Sequence, residues 1–148
     1  MRKEAKYLKE KVSSKRKKKL RPKTNNQQLY INTLSKADVT FCTGPAGSGK
    51  TAVSVGFACE QLINNIVEKI IITRPVIESG KGLGFLPGTF DEKIHPYMVP
   101  ILEEMRLYLG KAGLEKYRDS RIIEVCPLEY MRGRNFHNSF MILDEAQN

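Results

Sequence analysis

Eight residues, GPAGSGKT from Gly44 to Thr51, limit what this chain of 148 residues can fold into. They fit the pattern G-x-x-x-x-G-K-[ST] in full. Before them runs DVTFCT, residues 38–43, apolar and β-branched, which predicts a strand. After them TAVSVGFACEQLIN reads as a helix. Strand, glycine turn and helix in that order form a phosphate cradle. Gly44, Gly47 and Gly49 let the backbone close round an anion, and Pro45, Ala46 and Ser48 complete the loop. The helix start adds its partial positive charge. Lys50 is placed to reach the β- and γ-phosphates of a nucleotide, and Thr51 to offer a hydroxyl to Mg²⁺.

Such a loop needs an acidic partner at the end of a neighbouring strand. FMILD, residues 140–144, supplies four apolar residues and then Asp144, 93 positions beyond Thr51. Asp144 is the expected second Mg²⁺ ligand through water. Glu145 follows it as the candidate general base, with Lys50 as its catalytic companion. An adjacent Asp-Glu suits ATP hydrolysis better than a small-molecule kinase. ATP and Mg²⁺ are therefore the expected ligands.

The remaining pattern supports an α/β fold. NNQQLYINTL has helical spacing, and KIIITRP and RIIEVCP are short apolar strands. Ile94, Tyr97, Met98, Ile101, Leu102, Met105 and Leu109 mark an amphipathic helix, bent or begun late because of Pro96 and Pro100. Strands alternating with helices predict a mostly parallel sheet. ESGKGLGFLPG is too rich in glycine for either element and reads as a loop.

Charge divides the chain. Residues 1–23 hold twelve Lys and Arg against two Glu, while the net charge of the whole is +9. The body is thus nearly neutral, and the first 23 residues form a basic arm, disordered or weakly helical when free. An arm of this kind suits a polyphosphate chain such as RNA. It equally suits a solubilising tail. Its one aromatic, Tyr7, leaves little means of reading bases. Cys42, Cys59 and Cys126 are far apart and read as buried free thiols in a reducing compartment. No apolar run approaches a membrane span, so the expected setting is the cytoplasm, with no membrane partner.

TGPAGSGKT, IITRPV, LGFLPG, PLEYMRGR and ILDEAQN occur in this order. Together they resemble the PhoH family of phosphate-starvation-inducible ATPases, from about Thr24 to Asn148. The resemblance implies a RecA-like P-loop NTPase related to superfamily 1 helicases, with single-stranded nucleic acid, most plausibly RNA, as partner. It implies that Gln27, or Gln28 in the other register, reads the adenine edge; a polar residue on a helix face is the plain alternative. Arg74 falls where helicases touch a nucleic-acid backbone, or it forms a strand-end ion pair. Arg132 and Arg134 lie on a turn where phosphate, RNA or a neighbouring subunit are all possible contacts. Lys81 stands where the family commonly has Glu.

In the RecA-like topology the strand after FMILD lies between it and the P-loop strand. The expectation is therefore residues 24–148 as a domain truncated after its acidic strand, with a gap in the sheet. No arginine follows Asp144 to complete the γ-phosphate site, so a second subunit is a possible source. A nucleotide-gated binding module with little or no hydrolysis is the alternative function.

Overall fold

The structure, a computed structural model, describes residues 18–75 and 90–148. Most of the basic arm and the loop containing Gly80, Lys81, Gly82, Gly84 and Gly88 lie outside the described residues. The elements run α1 (Asn25–Leu34), α2 (Lys50–Ile63), β1 (Lys69–Arg74), α3 (Phe90–Leu109), α4 (Lys111–Asp119), β2 (Ile123–Pro127), a 3₁₀ turn (Leu128–Met131) and β3 (Ser139–Leu143).

The three strands form one parallel sheet in the order β2-β1-β3. β1 lies in the middle, and its four central residues, Ile70 to Thr73, are all buried. An unbroken apolar run is what a strand enclosed on both faces requires. Ile70 and Ile72 join Ile123 and Ile142 in one core with Val55, Ala58 and Leu62 of α2 and Met98, Ile101 and Met105 of α3. Phe57 of α2 stacks at a tilt on Phe140 of β3, with ring centres 5.6 Å apart. The helix that begins at the phosphate loop is thereby fixed to the strand that carries the acidic residue.

Closeness between helices is set by Gly56. A Cβ there would meet the Tyr108 hydroxyl at 2.5 Å and Cζ at 2.8 Å. Tyr108 itself is buried, with the Lys18 ammonium over its ring. Residues just before α1 also lie along the body. The Leu20 N–H donates to Glu60, Lys18 pairs with Glu104 at 2.7 Å, and the Leu20 side chain packs on the core.

Three expectations change. DVTFCT belongs to no strand and bends at Asp38 and Val39, and Val39 and Phe41 are 72% and 89% exposed. An extended preference straightens a segment; only a hydrogen-bonded neighbour makes it sheet. Among the described residues β3 pairs only with β1, and Met141 and Leu143 are half-exposed. Helix α3 begins at Phe90, with Pro96 and Pro100 both inside it, so its start is not delayed. Burial of Met98, Ile101, Leu102 and Met105 against the core outweighs the backbone hydrogen bonds the prolines cannot make. Of the cysteines, only Cys59 is fully buried, and all three are free. Helix α4, missed by the sequence reading, is short and contains Gly113; it is held by buried Leu114 and Tyr117.

On the far side of β1, Glu124 of β2 binds Lys69 at 2.8 Å and also the Arg134 guanidinium. Burial pushes the Glu124 carboxyl up, but these two cationic hydrogen bonds outweigh it and hold the carboxyl below its usual range. A depressed carboxyl contributes stability above its unfolded pKa, and that stability is lost as pH falls through the folded value. In urea titrations Glu124→Gln should therefore cost about 1 kcal/mol at neutral pH, with the deficit shrinking below about pH 4. A deficit that is the same at both pH values would contradict this. Gly56→Ala should lower stability by about 1–3 kcal/mol despite its better helix propensity. Adding Tyr108→Phe, which removes the nearest clashing atom, should restore part of the melting temperature.

Candidate nucleotide site

The loop from Gly44 to Gly49 leads directly into α2. Gly47 and Gly49 have φ of 74° and 88°, the left-handed region that L side chains rarely adopt. Gly49 is required twice, since a Cβ there would lie 2.7 Å from the Gln27 side-chain nitrogen. Ser48 closes the turn by donating its hydroxyl to the Pro45 carbonyl at 2.8 Å. Beyond Gly49 the first N–H groups of α2 have no carbonyl one turn back within the helix. They are free to face an anion at the loop.

Lys50 folds over this cradle. Its ammonium donates to the carbonyls of Gly44 at 2.7 Å and Pro45 at 2.9 Å. These are neutral acceptors, and a phosphate would compete for the same cation with full negative charge. Pro45 and Ala46 form the exposed rim of the loop.

Across from the loop, the β1–β3 ladder extends one step beyond Leu143, because the Asp144 N–H donates to the Thr73 carbonyl at 2.9 Å. This anchors Asp144 at the carboxyl end of the sheet, where ligands bind in open α/β folds. Thr51 Oγ1 donates to Asp144 Oδ1 at 3.1 Å. A hydroxyl and a carboxylate in contact are the hard oxygen donors that suit Mg²⁺. Among the described residues there is no cluster of three or more His, Cys, Asp or Glu that could hold a metal ion, so a cation at Thr51 and Asp144 would need further oxygen ligands from phosphate or water.

Glu145 follows with φ of 53°, a left-handed turn that takes its side chain off the strand line. It is exposed, and one carboxylate oxygen accepts from the Gln147 amide.

Gln27 is brought to the loop by α1. Thr24 caps that helix, its hydroxyl accepting from the Gln27 N–H at 3.2 Å. The Gln27 amide nitrogen donates to the Ser48 carbonyl at 3.0 Å, and its oxygen accepts from the Lys23 N–H at 2.8 Å. Each end keeps capacity for one more bond, the pair that an adenine edge needs. Gln28 bonds instead to Asn32 along the helix surface.

One contributor escaped the sequence reading. Tyr30, one turn beyond Gln27, is half-buried with its phenol in hydrogen-bonding reach of Ser54 and Cys42, and burial pushes it up to about 12. It ties α1 to α2 and to the segment before the loop. The three-residue spacing from Gln27 was the available signal.

The nucleic-acid candidates separate. Arg74 is at the site, with its guanidinium 3.7 Å from Asp144 Oδ2. Arg134 is held on β2 by Glu124 and by the Cys126 sulfur at 3.3 Å, with its guanidinium over Phe136. β2 is separated from β3 by β1, so Arg134 is remote from Asp144. Arg132 ends the 3₁₀ turn, exposed and without an ion-pair partner among the described residues.

No helix among the described residues is long and apolar enough to cross a membrane. The profile of the PhoH-like protein family matches residues 19–148. A PhoH-like protein of Bacillus subtilis is 42% identical over 145 residues, covering 98% of this chain and 46% of the relative. One from Mycobacterium tuberculosis is 43% identical over 137 residues, covering 93% and 39%. Protein PhoH of Escherichia coli is 42% identical over 127 residues, covering 84% and 36%. The chain thus spans less than half the length of these relatives. With a phosphate loop, its acidic strand and a parallel α/β sheet in place, the chain belongs to the PhoH family of P-loop proteins.

Proposed function

We propose that the chain carries the nucleotide site of a Mg²⁺-dependent ATPase coupled to RNA or another single-stranded nucleic acid. The observation that supports this best is the contact between Thr51 Oγ1 and Asp144 Oδ1, which joins the two halves of a metal–nucleotide site across 93 residues. Gln27 offers its free hydrogen-bonding capacity to adenine. Lys50 leaves the loop carbonyls for the β- and γ-phosphates, and the α2 N–H groups bind the same anion. Bound Mg²⁺ would offset the negative charge of the phosphates. Thr51 and Asp144 would hold it. Glu145, released from Gln147, accepts the proton of the attacking water. An arginine from a neighbouring subunit, or from the rest of a longer protein, completes the γ-phosphate site. The basic arm holds nucleic-acid phosphates without reading sequence.

A second reading is a nucleotide-gated binding module with little turnover. It is favoured by the exposed, Gln147-bonded Glu145. The two readings separate when ATP binding and phosphate release are measured independently, with and without RNA. On the ATPase reading, Lys50→Ala weakens ATP binding at least about tenfold. Glu145→Gln retains ATP but slows turnover by about 100-fold or more. ATP affinity without phosphate release, in this chain and in a full-length relative, would favour the module. Turnover indifferent to Lys50 would defeat both.

The arm gives a separate expectation. Removing residues 1–17, which leaves the Lys18 and Leu20 contacts in place, should weaken RNA binding and flatten its salt dependence. Some binding in the ATP-bound state should survive. Complete loss in every nucleotide state would make the arm the whole RNA site and the phosphate loop irrelevant to it.

A further inference from the structure

Asp144 is occupied on both oxygens. Oδ1 accepts from Thr51 at 3.1 Å, and Oδ2 faces Arg74 NH1 at 3.7 Å. Neither partner is loosely placed. Asp144 is tied by its N–H to Thr73, and Arg74 is the last residue of the middle strand. The two side chains are 17% and 26% exposed, so the pair is only partly screened by water. In this same position Arg74 also touches Tyr97. Its NH1 donates to the Tyr97 carbonyl at 3.4 Å, and its guanidinium lies 5.9 Å from the centre of the Tyr97 ring.

A divalent cation held by Thr51 and Asp144 would put a second positive centre on a carboxylate that already has one. Two cations cannot both be neutralised by a single carboxylate, and they repel each other. We infer that Arg74 and the divalent cation compete for Asp144. The guanidinium neutralises the carboxylate in the nucleotide-free protein. It yields the carboxylate when metal arrives, with the Tyr97 carbonyl and ring as its remaining partners. This rests on the metal-site reading of Thr51 and Asp144 given above. Arg74 is then a positioning residue for the metal site: it keeps the site from taking bare metal and leaves it to metal delivered with nucleotide phosphate.

The test is Mn²⁺ binding to the whole 148-residue chain without nucleotide, read by electron paramagnetic resonance. Arg74→Gln should tighten Mn²⁺ by about three- to tenfold. Arg74→Lys, which keeps the charge, should stay near the unsubstituted protein. Asp144→Asn should abolish binding in either background. If Arg74→Gln leaves affinity unchanged or weaker while Asp144→Asn still abolishes it, the competition is wrong and the metal site stands. If Mn²⁺ binding is absent throughout or indifferent to Asp144, the metal site itself is wrong and the inference goes with it. A measurement that needs no altered fold is the side-chain Nε–H resonance of Arg74, identified with Arg74→Lys. It should shift as Mg²⁺ is added, and a resonance that does not move overturns the proposal.

Discussion

The contact between Thr51 and Asp144 requires two groups far apart in sequence to be held to within a hydrogen bond. Most of the described structure serves that requirement. Thr51 is the second residue of α2, so its position follows from the helix. The helix is fixed by Phe57 on Phe140, by Gly56 against Tyr108, and by a nearly continuous buried face from Val53 to Cys59. Asp144 is fixed by the ladder between β3 and β1. The sheet and its core therefore act as a rigid frame with two functional groups at one edge.

The candidate side chains at that edge are already engaged by other groups. Lys50 rests on loop carbonyls, Gln27 on Ser48 and Lys23, Glu145 on Gln147, and Asp144 on Thr51 and Arg74. Each contact is made to a weaker partner than a nucleotide phosphate or a metal would be. Binding would exchange these contacts rather than create order from none, which keeps the cost of reorganisation small. Asp144 also has a cation beside it before any ligand arrives. The same economy is seen at Glu124, where Lys69 and Arg134 meet one carboxylate.

The basic arm and the nearly neutral body differ in composition. The helices and sheet carry the nucleotide groups, whereas the cationic excess lies ahead of them in the first 23 residues. Lys18 and Leu20 join the arm to α2 and α3, so a ligand held by the arm would be close to the helix that starts at the phosphate loop. Val39, Phe41, Met141 and Leu143 leave apolar surface on the segment before the loop and on β3. In relatives more than twice as long, further chain is available to cover such surface.

Much of the site was legible because its chemistry is local. Glycine spacing, a lysine and a hydroxyl in fixed register, and an acidic pair after an apolar run are written in consecutive residues. α1, α2 and the three strands of the sheet followed from apolar spacing for the same reason. What the sequence could not decide was partnership. DVTFCT has the composition of a strand, yet strand formation depends on a neighbour that lies elsewhere in the chain. Pro96 and Pro100 argue against an unbroken helix until the core that holds it is known. Arg74 was expected at a nucleic-acid backbone or in a strand-end ion pair and Arg134 at phosphate, RNA or a neighbouring subunit, and only the packing of three strands set one beside Asp144 and the other beside Glu124. The sequence by itself determined which groups are candidates for binding phosphate and metal. The tertiary structure decided which of them meet, because distance in space is fixed by packing and strand order rather than by position along the chain.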